Sequence, residues 1–338
     1  PESDQEGDKI YIGIFNLASH LRFQYDLEFR IIRYKHDAII NCYDVDVLVI
    51  ASNTCDPTRV VHAKPNLIKV ALMQFDFTSW LSRFWLGNFD LILSSSVLAY
   101  NLMSPVNSRS HLASHCSKFC DIFSSIEFKS SSEVRVEVFR LATNKNWFHS
   151  GASDPAYVSD VLVNGVLGER SPLAHLFMKH NDSQYDSIYD YKVLYLINSS
   201  LEKEKIGINS KIRTLPQLRR RNMAKALRST KLYVDQRDPA NWDSVNGEVY
   251  DALACGSMVL TDVKVEKNFS SVPSMVLSYN NISDLVVKLS EFVDADFREI
   301  KTALQKETAL RHSFETRAKE FVELLKTHFD VDINERFQ

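Results

Sequence analysis

NWDSVNGEVYDALACGSMVLTD, residues 241–262, is the stretch that decides the fold. It reads as a loop carrying two acids, a short helix, a small-residue break at Gly256-Ser257, and a buried strand ending in Asp262. Asp243 lies in the loop and Asp251 falls on the first turn of the predicted helix VYDALAC. A helix N-terminus presents backbone N–H groups and a partial positive charge, so it can seat a phosphate. Carboxylates beside that seat can accept hydrogen bonds from ribose or sugar hydroxyls. Acids also favour first helical turns for dipole reasons alone, a reading open to any α/β protein. The combination of loop acid, helix start and strand-end acid points to a nucleotide-sugar site.

Working outward, short apolar runs alternate with polar or helical stretches. In the first half KIYIGIF (9–15), VDVLVIA (45–51), LIKVALM (67–73) and FDLILSS (89–95) have strand length and β-branched content. A polar tract, SSIEFKSSSEVR (124–135), leads into VRVEVF and then ATNKNWFHSG (142–151). The pattern restarts with SDVLVNG (159–165) and a helix from about Pro172. KVLYLIN (192–198), KIRTL (211–215), a helix over 216–229, KLYVDQ, the signature helix, SMVLTD and SMVLSY follow. Helices are predicted over 282–292, 296–311 and 315–328. Such alternation predicts parallel, doubly wound α/β sheets, with one domain over 1–150 and a second over 151–338.

Composition narrows the function classes. A chain of 338 residues is long enough for two domains. A hydrophobic content of 45% and a charged content of 25% are ordinary for a soluble globular protein. The net charge of −3 provides no global positive field for nucleic acid. Cys42, Cys55, Cys116, Cys120 and Cys255 form an odd set without CxxC spacing, which fits free thiols in a reducing, cytoplasmic compartment. No apolar run approaches the roughly 20 residues that cross a bilayer. Four Asn-x-Ser sequons, at Asn181, Asn198, Asn268 and Asn281, read as chance in a Ser-rich chain. The first residue is Pro1 rather than Met, which reads as one module of a longer polypeptide. Gly is scarce, and no Gly-x-Gly-x-x-Gly or Walker-type loop is present, against a dinucleotide oxidoreductase or a phosphoryl-transfer NTPase.

The 241–262 stretch resembles the signature of GT-B glycosyltransferases, nearest to the spore-maturation, CgeB-like, glycosyltransferases. Their pattern runs roughly N-x-R-x-F-E-A-x-A-C-G, then a strand ending in Thr-Asp. Asn246, Tyr250, Asp251, Ala252, Leu253, Ala254, Cys255, Gly256, Thr261 and Asp262 stand at the matching places. The family's Arg is Glu248 here, and its Glu is Asp251. The wider retaining pattern has two glutamates separated by seven residues; Asp243 and Asp251 keep that spacing with shorter arms. ATNKNWFHSG resembles the end of the first domain in CgeB-like enzymes, and Asp160–Lys179 resembles the strand–loop–helix that opens their nucleotide domain. The resemblance implies two Rossmann-like domains facing each other across a cleft, closed by C-terminal helices. It implies transfer of a sugar from a nucleotide-diphosphate-sugar donor to a glycan or glycoconjugate acceptor, with retention and without a required metal or other cofactor. It also implies that Asp251 holds the ribose hydroxyls and Asp243 the donor sugar.

Further candidates surround these. The leaving diphosphate needs cations and backbone donors aimed at developing charge. Arg170, at a loop-to-helix entry, is the first choice, and Arg213, just after a strand, the second. Asn246, Gly247 and Glu248 at the signature helix start, and Gly165 of the glycine pair GVLG, complete the expected donor contacts. Asp76 in MQFDFTSW follows a predicted strand and could orient a hydroxyl or cap the next helix; His20 follows the first. The basic run Arg219, Arg220 and Arg221 with Lys225 and Arg228 reads as one solvated helix face; binding of an anionic acceptor or a membrane surface is the minority view. His111, His115, Cys116 and Cys120 occupy two faces of one helix and cannot all close on one ion, so no metal site is expected. The partners expected are therefore donor and acceptor, with no nucleic acid, and with a peripheral membrane contact or further domains open. A non-catalytic GT-B-like binding module of a polysaccharide-assembly protein, and a nucleotide-sugar epimerase, are the alternative readings.

Overall fold

A computed structural model describes residues 3–28, 40–41, 45–51, 57–61, 66–74, 80, 86–96, 99–100, 103, 134–164, 190–197, 212–235, 244–262, 276–293, 298–331 and 333. The chain divides into two units: Pro1–Arg140 with Asp238–Ser244 and Arg317–Gln338, and Leu141–Arg237 with Val245–Thr316. The division after Arg140 falls before the break placed near residue 150 from sequence, and the last helical stretch runs into the first unit.

In the first unit the strands β2 (Val47–Ile50), β4 (Ile68–Met73), β5 (Leu91–Ser94) and β6 (Arg135–Val138) form a parallel sheet in that order. A separate parallel pair joins β1 (Ile40–Asn41) to β3 (Val60–Val61). The central strands β4 and β5 are covered on both faces, which is why they read as unbroken apolar runs rather than alternating ones. Their core holds Ile50, Ala71, Met73, Trp80, Leu86, Phe89 and Ile92.

One expectation is overturned here. KIYIGIF is not a strand but part of helix α1 (Ser3–Tyr25). The buried residues Leu17, Ala18, Leu21 and Tyr25 recur at helical spacing, and that longer period carries the upstream Ile-rich run into the helix. His20 therefore sits within a helix, half-buried, rather than behind a strand. Gly13 brings α1 close to the end of β4: a Cβ there would lie 3.3 Å from Gln74 Oε1.

Among the described residues the second unit carries six parallel strands: β7 (Ser159–Asn164), β8 (Val193–Ile197), β9 (Arg213–Pro216), β10 (Thr230–Asp235), β11 (Met258–Thr261) and β12 (Val276–Ser278). Their spatial order is β12-β11-β10-β7-β8-β9. Numbered within the unit, this is 3-2-1-4-5-6 read from β9, the doubly wound order with its reversal between β7 and β10. The core packs Val161, Val163, Tyr195, Leu232, Val234 and Leu260 against Leu285 and Leu289 of α4 (Ile282–Val293). Helices α2 (Arg220–Arg228), α3 (Gly247–Cys255) and α5 (Arg298–Arg311) complete the unit, and α6 (Phe314–Phe329) begins in it.

Gly256 ends α3 in the left-handed region at φ +83°, where glycine has no steric penalty. Its N–H bonds Leu253 O at 2.9 Å, and the N–H of Ser257 bonds Ala252 O at 2.9 Å. α5 leans on this turn: Gln305 Nε2 donates to Cys255 O at 3.0 Å. Burial pushes the Cys255 thiol up to about 12, so it is a packed, unreactive thiol. No helix among the described residues is long and apolar enough to cross a membrane.

Candidate functional site

Four strands of the second unit end on one rung. Asn164 of β7 pairs with Asp235 of β10, Asp235 with Thr261 of β11, and Thr261 with Ser278 of β12. Beyond β7 the same rung continues through Leu196 and Leu215. The C-terminal rim is thus polar from the switch point towards β12 and apolar on the other side. In open α/β sheets ligands bind outside the carboxyl ends of the strands, at such a reversal.

Asp235 is the hub of the rim. It is 1% exposed, yet its carboxylate is fully engaged: Asn246 Nδ2 donates to Oδ1 at 2.9 Å and Thr261 Oγ1 to Oδ2 at 3.2 Å. Tyr279 Oη donates to its backbone carbonyl at 3.4 Å. Burial pushes the Asp235 carboxyl up to about 7; Glu248 and Asp262 push the same way, against the two hydrogen bonds. Beside it Asn164 is 8% exposed, and its Oδ1 has no hydrogen-bond partner among the described residues.

Asn246 precedes α3 in extended backbone, φ −65° and ψ 153°, and its side chain makes no cap to the helix. That amide is spent on Asp235, so the strand end fixes where the helix starts. A Cβ on Gly247 would meet open space, and Glu248 is the acid of the first turn. Three of the residues expected at the donor site (Asn246, Gly247 and Glu248) are therefore gathered against the polar rim.

Asp251 lies in the second turn of α3 rather than the first, because the helix opens two residues earlier than expected, at Gly247. It is half-buried, and Oδ1 accepts from Thr143 Oγ1 at 2.7 Å. Thr143 is fully buried and is itself held by the backbone: its N–H bonds His312 O at 2.8 Å, and the N–H of Phe314 bonds Thr143 O at 3.1 Å. Tyr250 packs against His312 in a tilted arrangement, 5.3 Å between ring centroids and 49° between planes. One oxygen of Asp251 thus ties α3 to the segment that enters the unit.

Arg213 is not brought to this rim. It opens β9, the edge strand two places from β7, and is exposed. Nor does it follow a strand, as expected from sequence; it begins one. His20 belongs to α1 of the first unit. Asp243, Asp76, Arg170 and Gly165 lie outside the described residues, as do His111, His115, Cys116 and Cys120. Asp235 and Asn164 were not singled out from sequence. The available signal was a polar residue closing each of the buried runs VLVN and LYVD, since such a residue in a parallel sheet stands at the rim where ligands bind.

Residues 191–323 match the family model described as glycosyl transferase-like. No curated protein matches the chain. Among solved structures, the chain is similar to AviGT4, a glycosyltransferase involved in avilamycin A biosynthesis, with 12% identity and a TM-score of 0.52 over 84% of this chain and 74% of that one. It is similar to sucrose-phosphate synthase from Thermosynechococcus elongatus, with 12% identity and a TM-score of 0.51 over 78% of this chain and 74% of that one. It is also similar to a trehalose-6-phosphate synthase from E. coli bound with UDP-2-fluoro glucose, with 12% identity and a TM-score of 0.51 over 80% and 69% of the two chains. The match to the glycosyl transferase-like model thus covers residues 191–323, and the chain's fold is the α/β fold of the GT-B glycosyltransferase structures to which it is similar.

Proposed function

We propose that the protein transfers a sugar from a nucleotide-diphosphate-sugar donor to a glycan or glycoconjugate acceptor, with retention and without a required metal, as a member of the CgeB-like branch. The observation that carries this reading is the polar rung Asn164–Asp235–Thr261 at the switch point of the sheet, with the start of α3 set against it through Asn246. The rung falls largely within the glycosyl transferase-like stretch. The UDP sugar bound by the trehalose-6-phosphate synthase of similar fold is in keeping with a nucleotide-sugar donor.

In this reading the diphosphate meets the backbone N–H groups at the start of α3, where Gly247 leaves room for close approach. Asn164 Oδ1, buried without a partner among the described residues, accepts a hydrogen bond from the nucleotide. Asp251 takes the ribose hydroxyls with the oxygen not given to Thr143, and Asp243 faces the donor sugar. Arg170 offsets the charge that develops on the departing diphosphate. The free buried Cys255 accords with a cytoplasmic setting.

The test is a thermal-shift screen of the chain against UDP, GDP, dTDP, CMP and ADP, with and without Mg²⁺. A nucleotide at about 100 times its Kd adds roughly 2.7 kcal/mol of stability. A metal-independent shift with one nucleotide is expected, reduced in Asn164→Ala. Silence from all five would sink the transferase reading and favour a non-catalytic binding module.

A further inference from the structure

The basic helix α2 borders a cavity that the nucleotide site does not use. The cavity measures about 710 Å³ and is framed by the segment Asn146–Pro155 on one side and by Arg221, Lys225 and Arg228 on the other. These three cations are spaced four and three residues apart and so share one face of α2, while Met223, Ala226 and Leu227 of the helix are buried in the unit. The cavity lies by the N-terminal ends of the central strands β7 and β10, whereas Asp235 closes β10 at its C-terminal end. Asp154 N–H donates to Ser229 Oγ at 2.7 Å, and Ser159, which opens β7, shares a hydroxyl hydrogen bond of 2.8 Å with Thr230, which opens β10.

Three features make this more than a solvated helix face. First, the charge is unbalanced: among the described lining residues Asp154 is the one carboxylate, and Lys225 Nζ holds it at 2.9 Å. Secondly, Arg228 Nε is buried without a hydrogen-bond partner among the described residues. The side chain packs closely on Gly151, whose Cβ, if present, would stand 3.1 Å from Arg228 Cδ and 3.3 Å from Nε. A buried N–H without an acceptor is costly, and a planar guanidinium suits an oxyanion. Thirdly, Trp147 lines the cavity with 43% of its surface exposed. An indole left open beside cations provides an apolar face on which a sugar ring can stack. The volume is in the range of small-ligand sites.

We propose that this cavity binds an oxyanion-bearing saccharide, its phosphate or sulfate held by Arg228 and Arg221 and its ring stacked on Trp147. The test uses the full chain, titrated by calorimetry with glucose 6-phosphate, glucose 6-sulfate, inorganic phosphate and glucose. Saturable binding of at least one anionic sugar is expected, with phosphate and glucose about tenfold weaker or more, a difference of roughly 1.4 kcal/mol each. The two anionic sugars distinguish a phosphate-bearing from a sulfate-bearing ligand. Trp147→Ala and Arg228→Gln should each weaken binding about tenfold while keeping any nucleotide-induced thermal shift, because both line the cavity by the N-terminal ends of β7 and β10 and not the polar C-terminal rim. Trp147 is exposed enough for its variant to fold, so it carries the test if Arg228→Gln does not. The inference is overturned if neither anionic sugar saturates by about 10 mM, if inorganic phosphate binds as tightly as the sugars, or if Trp147→Ala leaves affinity unchanged.

Discussion

Asp235 makes stability depend on pH in a direction opposite to that of an ordinary salt-bridged carboxylate. Its folded value of about 7 stands above the 3.8 of the free side chain. Between those values the folded protein holds a proton that the unfolded chain releases, so folding is penalised progressively as pH rises through the window. The contribution is flat below the lower value and flat again above the upper one. A difference of about three units at roughly 1.4 kcal/mol each sets a ceiling near 4 kcal/mol; relaxation around the buried charge should leave about 2–4 kcal/mol. Asp235→Asn removes the titration and keeps an oxygen to accept from Asn246 Nδ2, while the new amide can donate to Thr261 Oγ1. The variant should therefore gain on the wild type by up to about 1.4 kcal/mol per pH unit from pH 5 to 6.5, and hold that margin above pH 7.5. Urea unfolding of both proteins across pH 4.5–8.5, compared as differences, cancels the other titrating groups. A difference that does not move with pH would refute the reasoning, because Asp235 would then ionise in the fold as it does in water.

Three further outcomes follow from the same geometry. Gly256→Ala places a Cβ 2.5 Å from Lys301 and Gln305 atoms at a φ of +83°, so thermal melts should show a loss of about 1–3 kcal/mol with no effect specific to nucleotide binding. Asp251→Asn keeps an acceptor for Thr143 Oγ1 but removes the charge; it should melt near the wild type yet lose nucleoside-diphosphate affinity by about tenfold, whereas Asp251→Ala should also cost about 1–3 kcal/mol by stranding the buried Thr143 hydroxyl. Arg317 is 4% exposed and bonds Arg140 O at 2.9 Å and Glu320 Oε1 at 2.6 Å, so Arg317→Met should destabilise the first unit by about 1–3 kcal/mol, read in urea unfolding; a neutral result would mean that apolar packing of the stem carries the contact.

What was legible in the sequence tracks the range over which the determining forces act. The strands β2, β4, β5, β7, β8, β10 and β11 are set by local apolar runs, and each was readable as such. The helix over 9–15 was not. A run alternating Ile with Tyr and Gly satisfies strand and helix patterns alike, and the choice was made by the buried stripe Leu17–Tyr25 further along. The start of α3 escaped for a related reason. Asn246 has the composition of a cap, but its amide turns away to Asp235, eleven positions back, and no local rule anticipates that exchange. The same limit governs the site. The signature stretch pointed to the C-terminal rim of the second unit's sheet, because the strand ending in Thr261 and the helix that follows the loop are both local. That Asn164, Asp235, Thr261 and Ser278 share one rung is a statement about strand order, and order is fixed by non-local pairing. Asp251 shows the consequence for function. Read alone, it is a carboxylate available to a ribose; in the fold it secures Thr143, so the proposed ribose contact would share a side chain that already ties α3 to the segment entering the second unit.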